Sequence, residues 1–472
     1  MPSHRSEIRT PSPRARALLV LAALLSAALV GGCRRGDRSS ARPDVLLITI
    51  DTLRADHTSA YGYARPTTPR LEEVARDGVR FTTAYAPMAT TLPSHSSLMT
   101  GLLPRALGLL KNGVAFDHPA PTLAETLTAS GYRTAAFVSS FVLDRSFGLA
   151  RGFATYDDHF EKNACKSYGD TWEGFQLSAG FCRRGAATRE HAERWLEENG
   201  YLGGTAAQPF FLWIHLFDPH DPYEPFPAEA AMFPPLGDPP TELQKQIAAY
   251  DGEIRYADDQ VGRLLDRLRA AGRLDDTLVI IASDHGEGLM DHGWMHHGMM
   301  IYDEAVRVPF LVRWPARLPR GRVVQEAVQL ADVVPTLHDL LALPPPDRAL
   351  DGVSLRGALD GSGALDPQRP IFLQRRQYDR EVDLGMPVRG EKFGVRMGPL
   401  KYLDAKLEQT RELYDLPTDP AELDNVFRTQ KRDAKPLIDA MHGWLARPVE
   451  APPPGKVSED AAKRLEALGY VQ

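Results

Sequence analysis

Val45-Leu46-Leu47-Ile48-Thr49-Ile50-Asp51 is an apolar run, without alternation, that ends in a carboxylate. Two later runs behave alike: Phe210 to Ile214 stops at His215, and Leu278 to Ala282 stops at Ser283-Asp284. Half-buried strands alternate apolar and polar residues. An unbroken apolar run of this length suits a strand covered on both faces, as in a parallel sheet. Helical patterns fill the intervals. Thr122 to Ser130 opens with a capping box, Thr122 and Glu125, and stops at Gly131. A strand-like Thr134 to Val138 follows. Ile254, Ala257, Val261, Leu264, Leu265 and Leu268 recur at helical spacing until Gly272. This alternation predicts an α/β sandwich with a mostly parallel central sheet. Ligands of such sheets sit beyond the carboxyl ends of the strands. Asp51, His215 and Asp284 all stand at such ends, so widely separated positions converge on one site.

From about Pro370 the texture changes. Short strand-like pieces, Phe393 to Met397 and Lys401 to Leu403, precede a terminal helix, Lys435 to Leu445, and a Pro-rich stretch, Pro448 to Pro454. This predicts a smaller α+β subdomain. The other end is not part of the fold: Arg5, Arg9, Arg14 and Arg16 precede the apolar run Ala17 to Val30, and Val30-Gly31-Gly32-Cys33 follows. A basic segment, a short apolar run and small residues before a cut read as an export signal, and the Cys after the small pair resembles a bacterial lipoprotein signal. A plain cleaved signal and an uncleaved anchor are the other readings. The division expected is 1–33 signal with lipoprotein Cys33, 34–43 tether, 44–369 catalytic domain and 370–472 C-terminal subdomain. The location expected is the bacterial cell envelope, lipid-anchored to the membrane. After export only Cys165 and Cys182 remain, which suggests a disulfide closing a Gly-rich insertion, with free thiols as the alternative. The net charge of −7, with no long run of one sign, does not suggest a nucleic-acid partner.

Four segments carry chemistry. Asp51-Thr52-Leu53-Arg54 places a carboxylate after a strand, suited to a divalent cation; taken alone it reads better as a turn residue capping the next helix. Ser283-Asp284-His285-Gly286-Glu287 offers a second carboxylate with an imidazole beside it. Four of the thirteen residues from His285 to His297 are histidine, which is dense. His215-Leu216-Phe217-Asp218-Pro219-His220 puts two histidines around a strand end, able to donate to an anion. Thr91-Leu92-Pro93-Ser94-His95 begins a segment in which Pro93 suits a first helical turn. Thr91 would then sit at a helix N-terminus, whose N–H groups favour an anion.

Thr91-Leu92-Pro93-Ser94-His95-Ser96-Ser97-Leu98-Met99-Thr100-Gly101 resembles the signature of sulfatases: Cys or Ser, any residue, Pro, Ser, Arg, four residues, Thr-Gly. Together with Tyr61-Gly62-Tyr63, Asp351-Gly352-Val353 and Glu412-Leu413-Tyr414-Asp415, it makes the chain similar to the sulfatase family of the alkaline-phosphatase-like superfamily, from Asp44 to about Val426. The resemblance implies an alkaline-phosphatase-like sandwich and one divalent metal (Zn, Mn, Mg or Ca), held by Asp51, Thr91, Asp284 and His285. It implies that Thr91, His220 and His297 are catalytic and that His95 and His215 bind substrate. His220 takes the substrate-histidine position, His297 the position of a sulfate-binding Lys, and His95 that of the Arg beside formylglycine. Sulfatases oxidise their Cys or Ser to formylglycine. Threonine, a secondary alcohol, cannot give that aldehyde. Phosphoethanolamine transferases and lipoteichoic acid synthases, with an acidic residue, a nucleophilic Thr, an Asp and an adjacent His, fit the departures better. The activity expected is therefore hydrolysis or transfer at phosphate esters, especially diesters, of a small molecule, glycan or lipid. A formylglycine-free sulfatase and a non-catalytic envelope binding protein are the alternatives.

Overall fold

The computed structural model describes residues 42–449 except 162–164, 167–170, 173–174, 177–179, 379–381 and 384–386. The expected export signal, Cys33, most of the expected tether and the chain beyond 449 lie outside the described residues. Among the described residues no helix is long and apolar enough to cross a membrane.

A nine-stranded sheet forms the centre. Its strands are β1 (Asp44–Ile50), β2 (Val79–Tyr85), β3 (Arg133–Phe137), β4 (Thr155–Asp157), β5 (Phe210–Leu216), β6 (Thr277–Ser283), β7 (Arg307–Arg313), β8 (Arg322–Val324) and β9 (Val328–Gln329). Their order is β8-β2-β7-β6-β1-β5-β3-β4, with β9 also on β2. The run β6-β1-β5-β3-β4 is parallel, and β7 is antiparallel to both neighbours. The three apolar runs are the three middle strands, and every residue of each is buried. Alternate side chains of β1 enter different layers. Val45 and Leu47 join Trp213, Leu278 and Ile280 under Leu92, Leu98 and Leu123. Leu46, Ile48 and Ile50 join Leu212, Ile214 and Val279 under Ile254, Val261, Leu264 and Leu268. That is an α/β sandwich, as expected.

The helices are α1 (Pro69–Asp77), α2 (Thr91–Thr100), α3 (Leu123–Ala129), α4 (Gly185–Glu198), α5 (Glu242–Ala270), α6 (Val333–Leu340) and α7 (Lys431–Leu445), with shorter turns between. The Thr122/Glu125 capping box of α3 forms. Helix α5 starts earlier than its apolar pattern because Thr241 and Gln244 make a second capping box before a mostly exposed first turn. Helix α7 begins at Lys431, a turn before Lys435, and carries Pro436 inside, which forfeits one backbone hydrogen bond.

Beyond Pro370 lies a four-stranded antiparallel sheet, β10 (Ile371–Arg375), β11 (Lys392–Met397), β12 (Leu400–Ala405) and β13 (Thr410–Asp415), in sequence order. One face packs on α7, where Phe372 stacks on Trp444 at 4.8 Å. The other meets Tyr85, Ile301 and Tyr302. Between them Lys401 reaches Asp303 at 2.8 Å.

Leu268 is fully buried between α5 and the sheet. Leu268→Ala should lower stability by about 2–5 kcal/mol in urea unfolding, because the cavity cannot fully collapse. A loss under about 1 kcal/mol would mean that α5 is not packed as described.

Candidate active site

Register builds the site. Ile50 pairs with Leu216 on one side and with Ser283 on the other. Asp51 and Asp284 are the next residues of neighbouring strands, so they leave the sheet at the same level. The chain then turns hard: Thr52 has φ 53, a left-handed conformation that a β-branched residue rarely adopts. The turn is held from three sides. Tyr250 of α5 donates to the Thr52 carbonyl at 2.7 Å and accepts from Arg54 N–H at 3.0 Å. Ser283 Oγ accepts from Leu53 N–H at 3.0 Å, and the Thr52 N–H lies 3.4 Å from Asp284 Oδ1. Strain of this kind persists only where the surroundings over-determine it.

Helix α2 begins at Thr91, as the position of Pro93 predicts, and is buried throughout. Ser94 Oγ donates to the Asp284 carbonyl at 2.6 Å, tying the helix start to the strand end. Thr91 Oγ1 comes to 3.3 Å from His285 Nε2. One expectation needs correction. Leu92 N–H donates to Asn112 Oδ1 at 2.9 Å, Pro93 has no N–H, and Ser94 N–H bonds to the Thr90 carbonyl. The helix terminus therefore offers an anion far less than its position suggests.

The donor set fits a cation. Single ligand atoms of Asp51, Asp284 and His285 all lie within 4.8 Å of one another. Both Asp51 oxygens and Asp284 Oδ2 are buried without a hydrogen-bond partner. Burial holds the Asp51 carboxyl well above the usual range. Burial, then repulsion from Asp51, pushes Asp284 up to about 7. A dication reverses that penalty. His285 Nδ1 donates to the Gly286 carbonyl at 2.9 Å, which leaves the Nε2 lone pair facing the carboxylates. Two carboxylates, a hydroxyl and an imidazole are a donor set able to hold a divalent cation.

His95 and His215 do not take the substrate-facing places expected of them. Both are fully buried. His95 Nδ1 donates to the Thr91 carbonyl at 2.8 Å, and its Nε2 meets Thr49 Oγ1 at 2.9 Å, so neither nitrogen is left for substrate. His215 Nδ1 accepts from Ser139 N–H at 3.4 Å, which puts its proton on Nε2, 3.4 Å from Asp51 Oδ2. Both imidazoles brace the carboxylates from below. His95, His215 and Asp284 also lie close enough to suggest a second metal group. The protons on His95 Nδ1 and His215 Nε2 oppose it, because a ligand nitrogen must offer a lone pair.

His220 and His297 meet, Nε2 to Nε2, at 3.1 Å. His220 Nδ1 donates to the Asp221 carbonyl at 2.6 Å, so its lone pair is on Nε2. His297 Nε2 faces that lone pair, while its Nδ1 lies 3.4 Å from the Ala89 carbonyl. His297 therefore carries its proton on Nε2. Burial and neighbouring imidazoles keep both rings well below the usual histidine range. The His297 ring also lies 4.5 Å, centre to centre, from that of His285, which brings the pair to the Thr91 hydroxyl.

Sequence reasoning missed a set of charged residues behind this pair. The disulfide Cys165–Cys182 is present, with Cα atoms 5.4 Å apart. Lys166, next to it, is buried and donates to the His220 carbonyl and to Glu253 of α5. Arg184 reaches the same Glu253 at 2.9 Å. A lysine directly after a cysteine was the visible signal. Glu253 gave none, being one carboxylate on a largely polar helix.

Comparison with known proteins follows the same lines. The family model described as Sulfatase matches residues 43–343, and that described as N-sulphoglucosamine sulphohydrolase, C-terminal, matches 290–448. An arylsulfatase of Clostridium perfringens is 25% identical over 87% of this chain and 95% of its own length. An N-acetylglucosamine-6-O-sulfatase of Bacteroides thetaiotaomicron is 22% identical over 87% of this chain and 86% of its own. The crystal structure of a phosphonate monoester hydrolase of Agrobacterium radiobacter superposes with a TM-score of 0.68 at 26% identity, covering 86% of this chain and 95% of that one.

Asp51→Asn separates the cation from the fold. A carboxyl whose folded pKa is raised costs stability above its unfolded pKa, whether it ionises or holds its proton. In EDTA at neutral pH the variant should melt higher than the parent, and after dialysis against a divalent metal it should retain less of it. A lower melting temperature together with full metal retention would contradict this account.

Proposed function

The chain belongs to the sulfatase family of ester hydrolases, and from that premise we propose that it cleaves singly charged phosphate diesters and phosphonate monoesters through Thr91. The observation that carries this reading is the Thr91 hydroxyl 3.3 Å from His285 Nε2, which itself lies 3.6 Å from Asp51 Oδ1 and 3.5 Å from Asp284 Oδ2, oxygens with no hydrogen-bond partner. Charge supports the substrate class. Two carboxylates cancel a dication, the His220–His297 pair is neutral, and Lys166 and Arg184 are balanced by Glu253 and Asp218. A doubly charged phosphate monoester would meet no surplus positive charge. A singly charged ester needs less.

The metal supplies a Lewis acid that lowers the pKa of the Thr91 hydroxyl and draws charge from the reacting oxygens. Asp51, Asp284, His285 and Thr91 would hold it. Thr91 Oγ attacks phosphorus in line and the bond to the leaving oxygen breaks, leaving a phosphoryl ester on Thr91. The proton leaving the Thr91 hydroxyl charges the neutral His220–His297 pair, and the pair returns it through His297 Nε2 to the departing oxygen, with His220 orienting that ring. Water, or an acceptor alcohol, then attacks phosphorus and the bond to Thr91 Oγ breaks. Formylglycine releases its ester by eliminating through a second hydroxyl. Threonine has none, so a second displacement is required, and it is easier at phosphorus than at sulfur.

Sulfate ester hydrolysis by the same Thr91 is the second reading, favoured by the sulfatase names of the curated relatives. The reading of residues 1–33 as an export signal completes the proposal: the enzyme works in the bacterial cell envelope, held at the membrane by a lipid on Cys33, on a small-molecule, glycan or lipid ester.

Thr91→Ala should reduce turnover of every ester by about 10³-fold or more while the melting temperature in EDTA stays near parental. An active Ala variant would remove Thr91 from the chemistry. On the parent enzyme, a nitrophenyl phosphate diester or phosphonate monoester should turn over faster than nitrophenyl sulfate; the reverse order would favour the sulfatase reading. His297→Ala should slow alkyl esters by about 10²–10⁴-fold but nitrophenyl esters little, since a good leaving group needs no proton. Equal losses on both would show that His297 is not the acid.

A further inference from the structure

We propose that Lys166 is a positioning residue for His220, and that the Cys165–Cys182 disulfide is what presents it. The inference rests on the role given to His220 above. Lys166 touches the His220 loop in two ways. Its ammonium donates to the His220 carbonyl. It also lies 5.7 Å over the Phe217 ring, which stacks on the His220 imidazole at 4.4 Å and 19°. The main chain and the ring of one histidine are thus set by one cation.

A second cation grips the same loop from the other arm of the bridged insertion. Arg184, two residues after Cys182, contacts Asp218 Oδ1 at 3.1 Å and the Glu224 carbonyl at 3.0 Å. Glu253 joins the arms, accepting from Lys166, from Arg184 and from Glu224 N–H at 3.1 Å. Two cations and two carboxylates leave the cluster neutral, as its burial demands. The loop from Asp218 to Glu224 is held before, at and after His220.

The disulfide is needed because the two arms differ. Cys182 is fixed by its β-bridge to Ser140, and Arg183 N–H bonds to the Ser139 carbonyl. Cys165 and Lys166 belong to no helix or strand. The bridge to Cys182 is the covalent tie that gives the Lys166 backbone a fixed origin.

The test is kinetic and spectroscopic, on the exported full chain with metal. Lys166→Met should lower kcat by about tenfold or more, with KM changed less than about threefold and metal content unchanged, because a misplaced catalytic group loses rate before binding. Lys166→Arg should recover most of the loss. Cys165→Ser/Cys182→Ser should reproduce the Lys166→Met defect and add nothing to it. In a His220→Ala background Lys166→Met should have no further effect, since residues acting through one another are not additive. The ¹⁵N resonances of the His220 ring should move in Lys166→Met, a readout that needs no turnover. Independent, multiplying losses in Lys166→Met and His220→Ala, or an unmoved His220 resonance, would overturn the positioning role. A full-rate double Ser variant would overturn the role of the disulfide. A parent inactive on every ester would sink the functional reading and leave the resonance shift to decide this one.

Discussion

Two carboxylates, three of whose four oxygens have no hydrogen-bond partner, lie buried side by side at the ends of neighbouring strands, and the rest depends on that constraint. Asp51 and Asp284 follow the paired residues Ile50 and Ser283, so the sheet delivers them at one level without any loop having to find the other. Buried like charges destabilise a fold unless something cancels them. The surroundings do not cancel them; they hold them in place. Thr52 is kept in a strained turn, Ser94 and Ser283 bond the strand ends, and His95 and His215 stand beneath. The fold is shaped for a cation, and the cost of the site is met by what binds there.

Thr91 takes its meaning from that neighbourhood. At an ordinary helix start a threonine is a cap. Here it faces His285, whose Nε2 neighbours unpartnered carboxylate oxygens, in a site with little net positive charge. The same charge balance explains why the histidine pair matters. His220 and His297 are the pair that the proposed reaction uses to move a proton, and burial keeps both well below the usual histidine range. The family likeness spans sulfate and phosphonate chemistry.

The core of the fold could be read because its three middle strands are unbroken apolar runs, and a run that stops at Asp51 or Asp284 announces both a strand and its functional end. His285 came with Asp284 for the same reason. The helix at Thr91 was legible from Pro93. What could not be read was depth. His95 and His215 have the residue type of substrate contacts, but their ring nitrogens point down into Thr49, Ser139 and the carboxylates, which only packing decides. The capping of Leu92 by Asn112 likewise needs a loop to come back in space. The pairing of Lys166 with Glu253 was silent because a buried salt bridge looks, in sequence, like two surface charges. The meeting of His220 with His297 spans 77 positions that no local pattern links.

The most direct test of the central claim is the mass of the peptide carrying Thr91 after acid quench during turnover of a phosphate diester or phosphonate monoester. The account predicts a phosphoryl ester on Thr91, formed at a rate no slower than turnover and absent from Thr91→Ala. An unmodified Thr91 throughout an active steady state, with the deposition rate of any adduct below kcat, would contradict it.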